Sequence, residues 1–138
     1  MGTQQILLIV LSVIIVGIAV AVGITMFNAQ ATNSNRQAIV GDMNNQASSA
    51  LAFYKTPLTH GGGAGSFISA NAVGTWIGYD WDGTILTTGN GTFTLAVAGD
   101  VLTITGTGTE IGSNGSTNVQ ATMTVTGATS AIVTTVNN

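Results

Sequence analysis

Residues 6–27 read ILLIVLSVIIVGIAVAVGITMF, 22 positions without a charged side chain, beginning at the sixth residue of the chain. As an α-helix rising about 1.5 Å per residue the run is roughly 33 Å long, enough to cross the hydrocarbon of a bilayer. Behind it lies a polar, threonine- and glycine-rich stretch that reads as a soluble domain. One head domain with one appended helix is the natural division of 138 residues.

Composition narrows the function classes. Two Lys and Arg stand against five Asp and Glu, a net charge of −3, and only 5% of residues are charged. Such a surface cannot neutralise a row of phosphates, so nucleic-acid binding by the monomer is not expected. It also lacks the charge repulsion that keeps small proteins apart. Thr, Ser, Asn and Gln supply the polarity instead, which suits close packing against copies of the same chain. With no cysteine, disulfides and thiolate metal sites are excluded.

The flanks of the run are unusual. Met1-Gly2-Thr3-Gln4-Gln5 has no basic residue, unlike the n-region of a secretory signal, and no convincing cleavage site follows residue 27. An ordinary anchor would carry basic residues on its cytoplasmic flank, yet the cations, Arg36 and Lys55, both lie beyond the run. A short charged leader removed from in front of Met1 explains the bare flank; an intact start and a simple anchor is the alternative. Within the run, Gly17 with Ala21 and Ala19 with Gly23 make small-xxx-small spacings that let helix backbones approach one another.

A mature N-terminus, a polar residue at position five and some twenty apolar residues resemble the type IV pilin superfamily. The resemblance covers about the first 57 residues. It implies that Met1 is the first mature position, exposed and N-methylated by a prepilin peptidase. Gln5 falls where the family's usual glutamate pairs with a neighbour's terminal amine, and it offers only a hydrogen bond there. Archaeal members often lack that glutamate. A register starting at Thr3 would put Leu7 fifth and leave a two-residue uncharged leader, a poorer fit. Bacterial pilins carry a mid-helix proline, whereas the single proline here is Pro57. A continuous helix is expected, softest at residues 17–23, because interior glycine costs about 1 kcal/mol relative to alanine.

From residue 28 the pattern becomes amphipathic. Ile39, Met43, Ala47, Ala50 and Tyr54 recur at three- and four-residue steps, widened by Val40 and Leu51, with Arg36, Asp42, Gln46 and Lys55 outward or towards neighbours. Pro57 ends the helix at Thr56, giving a rod of roughly 84 Å. Residues 60–65, His-Gly-Gly-Gly-Ala-Gly, read as a flexible connector. They lack the Gly-Lys-Ser/Thr of a phosphate loop. Strand patterns follow at 67–70, 74–79, 84–88, 92–98, 101–105, 118–126 and 131–136, with turns at Asp82-Gly83, 98–100 and 126–129. The expected fold is α+β: a helix over about 1–56 whose C-terminal half packs on an antiparallel β-rich head, pilin-like. Its parts are an apolar segment at 1–27, an amphipathic half at 28–57 and a globular head at 58–138. So many strands leave a small sandwich or barrel-like wrap open.

Residues with chemical potential are few. His60 has no acid or cysteine beside it and reads as a solvated loop histidine. Asp80-Trp81-Asp82-Gly83 echoes a calcium loop, but calcium takes six to eight oxygens and only two carboxylates are local; a hairpin turn is the simpler account. Trp76, Tyr79 and Trp81 would stack on a sugar if exposed, although aromatic strand residues are more often core. Asn90-Gly91-Thr92 and Asn114-Gly115-Ser116 match the N-glycosylation pattern. No enzyme activity and no cofactor are expected.

The resemblance implies a structural subunit that polymerises through its N-terminal helix into an extracellular helical filament of identical copies. Before assembly it would sit in the cytoplasmic membrane, served by a prepilin peptidase and assembly machinery. The competing readings are a membrane-anchored surface binding module and a secretion-system pseudopilin.

Overall fold

The computed structural model describes residues 2–138; Met1, the expected first mature position, lies outside them. The first element is one helix, α1, Gly2–Lys55. It forms two compact units with the rest of the chain, dividing after Ala31. The unit from Thr32 onward holds the second half of α1, a short helix α2 (Ala70–Ile77) and six strands. The strands are β1 (Asp80–Trp81), β2 (Ile85–Thr88), β3 (Gly91–Ala98), β4 (Val101–Ile111), β5 (Asn118–Thr126) and β6 (Ala131–Val136). They form one antiparallel sheet in the order of the sequence, β1 to β6. This is the α+β arrangement expected, with one sheet in place of a sandwich or barrel.

Alternation along the strands sorts the sheet into two faces. Phe93, Leu95, Leu102, Ile104, Val119, Ala121, Met123 and Val125 point inward and are buried with Ile39, Met43, Ala47, Ala50 and Phe53 of α1. Phe53 takes the buried place that the periodicity assigned to Tyr54. Tyr54 is half-buried, packs at a tilt against Phe67 with 5.0 Å between ring centroids, and has its phenol pKa raised by burial and by the charge and hydrogen bond of Asp100. Gln46, expected to face outward, is instead fully buried in the core stripe. The other face of the sheet carries threonine opposite threonine: Thr92–Thr107, Thr94–Thr105, Thr105–Thr122, Thr103–Thr124 and Thr122–Thr135. Cross-strand pairs of this kind contribute about 0.2–1 kcal/mol each.

β4 runs six residues beyond the 101–105 expected, because Gly106 and Gly108 hide its continuation. Both lie on the face towards α1, where an added Cβ would meet Ile39, and Phe93 or Asn35 as well. Glycine is there so that the helix can lie close to the sheet, not to form a turn.

Two sequence readings are corrected. The strand candidates at 67–70 and 74–79 are the approach to α2 and α2 itself. Ser69 caps the helix by accepting from the Ala72 N–H (3.2 Å), and Gly78 ends it at φ 82°. These caps and the Val73–Ile77 spacing outweigh the local β-propensity of Trp76 and Ile77. Likewise residues 60–65 are not a loose connector. After a 3₁₀ turn at Leu58–His60 they fold back over the end of α1: Gly63 N–H donates to Phe53 C=O (2.8 Å), Gly65 N–H to Tyr54 C=O (2.7 Å) and Ala64 N–H to Thr56 C=O (2.9 Å). Carbonyls that a helix end leaves unpaired are thereby satisfied. At Gly63 a Cβ would collide with the Ser66 carbonyl oxygen.

Candidate functional site

The feature that sets this chain apart is the segment of α1 before Ala31. Its most apolar stretch has a mean hydropathy of 3.2 and none of it is buried, so α1 is long and apolar enough to cross a membrane. Leu7 and Phe27, near its two ends, are 68% and 73% exposed. The two hydroxyl side chains in the run are both turned back on the helix: Ser12 Oγ donates to Leu8 C=O (2.7 Å) and Thr25 Oγ1 to Ala21 C=O (3.0 Å). Each polar group is satisfied within one turn, so the run offers lipid or another helix little but hydrocarbon. Sequence reading passed over these two residues; their i−4 geometry becomes visible only once the helix is built.

The helix is continuous through Gly17 and Gly23, and a Cβ at either would meet nothing within 4 Å. Neither glycine is required by its own chain. At about 100° per residue, Gly17 and Ala21 open one shallow groove, and Ala19 and Gly23 another roughly 200° round the axis. Close helix contacts are therefore possible on two nearly opposite sides. Gln5 is exposed one turn from the start of α1. No family model, no curated protein and no solved structure matches this chain. The functional reading therefore rests on the residues themselves.

The other sequence candidates fall apart as one site. Asp82 Oδ1 accepts from the Thr84 (2.7 Å) and Ile85 (2.8 Å) N–H groups, bonds that close the β1–β2 turn and hold the carboxyl below its ordinary range. Asp80 stands across the hairpin opposite Thr87. Among the described residues, no three His, Cys, Asp or Glu side chains form a group that could hold a metal ion.

Asn90 is tied to α1: its Nδ2 donates to Asp42 Oδ2 (2.9 Å), and its carbonyl accepts from Asn35 Nδ2 (3.0 Å). Asn90 Nδ2 is the nitrogen a glycan would occupy. Asn114 lies in the exposed β4–β5 loop, where its Nδ2 donates to Thr117 Oγ1 and its Oδ1 accepts from the Ser116 N–H.

Trp76, 38% exposed, stands edge-on to Phe53 at 5.7 Å and lines an open apolar cleft of about 530 Å³ with Leu58, Ile68 and Ala72. The cleft's one hydroxyl, on Thr75, donates to Asn71 C=O (2.8 Å). Trp81 packs flat against Gly74 and donates Nε1–H to Asn71 Oδ1 (2.9 Å). His60 pairs locally with Thr59.

Proposed function

We propose that this chain is the structural subunit of an extracellular, type IV pilus-like filament, polymerising through its apolar N-terminal helix. The observation that carries the reading is the complete exposure of residues 6–27 on α1, together with two small-residue grooves on that segment. Fifteen of its side chains are Leu, Ile, Val or Phe. On an insertion scale near −0.3 to −0.6 kcal/mol each, they favour the bilayer by about 5–9 kcal/mol. The membrane therefore holds the unassembled subunit. Moving the helix from lipid into a bundle gains little from hydrophobicity, so packing at the small residues must drive assembly.

In this reading the filament core is built from residues 1–27, the heads form its sheath, and other proteins provide leader cleavage and the assembly motor. Gln5 replaces an ion pair at the subunit joint with a hydrogen bond.

Negative-stain microscopy of material sheared from the cell surface, with mass spectrometry of its N-terminal residue, tests the proposal. The expected result is filaments of this chain beginning at N-methylated Met1. Gly17→Leu with Gly23→Leu should abolish filaments while leaving membrane insertion intact. A purified chain that stays soluble with its N-terminus intact and never polymerises would overturn the reading.

A further inference from the structure

The sheet ends in two very different edges. β1 is two residues long and carries Asp80, features that blunt an edge. β6, Ala131–Val136, reads AIVTTV, six residues without charge, proline or bulge, and every one of them is exposed. Ile132, Val133 and Val136 are 40%, 60% and 45% exposed. None of the usual protections is present.

The direction of the free backbone groups follows from the register. Asn137 N–H donates to Gln120 C=O (2.9 Å), so the backbone at 137 points towards β5. In an antiparallel ladder alternate residues point the same way. Residues 131, 133 and 135 therefore face β5, while Ile132, Thr134 and Val136 direct N–H and C=O out of the sheet. Among the described residues those outward groups meet no further strand, because β6 is last in the order.

We propose that this edge is a self-association site, pairing antiparallel with β6 of a second copy about a two-fold axis at Thr134. The register is selected by the outward groups. Centred on Thr134, Thr134 faces its own copy and Ile132 faces Val136, so every outward N–H and C=O gains a partner. A two-fold centred on Val133 or Thr135 leaves one outward residue of each copy unpaired. Side chains agree with this choice. Ile132 and Val136 lie beside Val125 and Ala121 on the core-facing side of the sheet. Pairing them across the joint extends that apolar face from one copy into the next.

The second copy is the occupant because β6 is complementary to itself in this register, all three outward residues finding partners, whereas the chain's other edge offers two residues. A surface with 5% charged residues adds no repulsion. A two-fold joint closes on itself, so it does not propagate a helical polymer; it joins two molecules, or two filaments side by side. It is independent of the proposed filament contact.

The full chain in detergent micelles tests the site without any need for filaments. Amide exchange at Ile132, Thr134 and Val136 should slow at least about tenfold as protein concentration rises through the association range. Thr134→Lys places two ammonium groups opposite each other across the axis, and Thr134→Glu two carboxylates; like charges so placed oppose pairing. Each variant alone should lose the β6 dimer in sedimentation, and an equimolar mixture should regain it as a heterodimer. Ser116→Lys, in the β4–β5 loop, should dimerise as the unmodified chain does. Exchange at the three amides that is independent of concentration, or a Thr134→Lys chain that still pairs like the unmodified one, overturns the proposal. Regain in the mixture excludes misfolding as the cause of the loss.

Discussion

Replacing Gln46 with Met should stabilise the head. Gln46 is fully buried on the core stripe of α1, one turn from Met43 and Ala50, and neither Nε2 nor Oε1 has a hydrogen-bond partner. Burying an amide without partners costs about 1–3 kcal/mol by protein mutational data. Methionine has a similar length and shape, no strong polar group, and the flexibility to settle into the same space. Gln46→Met should therefore raise unfolding free energy by about 1–3 kcal/mol. For a domain of this size each kcal/mol moves the midpoint by about 4–8 °C, so the melting temperature should rise by at least about 4 °C. Near-ultraviolet circular dichroism of the full chain in detergent, scanned with temperature, reads the tryptophan environment directly. Gln46→Ala supplies the contrast, since it removes the same amide but leaves a cavity and should gain less or lose. A Gln46→Met chain less stable than the parent would refute the reasoning. It would mean that a buried water holds the amide and that removing the side chain strands that water.

Gly63→Ala should destabilise by about 1–3 kcal/mol, because its Cβ would collide with a backbone carbonyl that no rotamer change can move. Gly89→Ala, where nothing lies within 4 Å and φ is not positive, should stay within about 0.5 kcal/mol by the same melt. Ile68 has a φ of 58° and is 55% exposed; Ile68→Gly should gain about 1 kcal/mol in chemical denaturation by relieving left-handed strain at little loss of packing. At the β1–β2 turn, Asp82 has a lowered pKa in the folded state, caused first by the Ile85 and then by the Thr84 N–H. Its stabilising share is present above the ordinary carboxylate pKa, near 4, and is lost as pH falls through the lower folded value. An acid titration of Trp81 fluorescence should show that loss, and Asp82→Ala should remove the acid step.

The long helix was legible because its cues are local and redundant: an unbroken apolar run, a three-to-four periodicity from residue 28 and a proline at 57. The bounds of β5, 118–126, could be read directly from the sequence, as Val119, Ala121, Met123 and Val125 alternate with Gln120, Thr122 and Thr124 up to the turn at 126–129. Misreadings came where tertiary contact overrides a local pattern. Residues 67–79 are rich in aromatic and β-branched side chains, yet the caps at Ser69 and Gly78 set a helix. Glycines at 106 and 108 look like a strand's end until α1 is seen to lie over them. The glycines at 61–65 have the composition of a linker, whereas Gly62 and Gly63 admit a backbone too close for a Cβ and Gly61 and Gly65 take positive φ. The chemistry of Gln46 predicts a side chain facing outward or towards neighbours, and only the packing puts it inside. The candidate site was visible as an apolar run; the inward turn of Ser12 and Thr25 was not, because it needs helix geometry.

The strand order has a kinetic consequence. Each strand of the sheet pairs with the strand just before it in the chain, so every sheet step is a hairpin closing a short loop, on the order of microseconds per hairpin. The docking of α1 on the sheet face joins parts more distant in sequence, such as Ile39 with Gly106. Topologies dominated by near neighbours fold fast. Pairing between sequence neighbours shortens the time in which unpaired strands are open to misassociation with other chains.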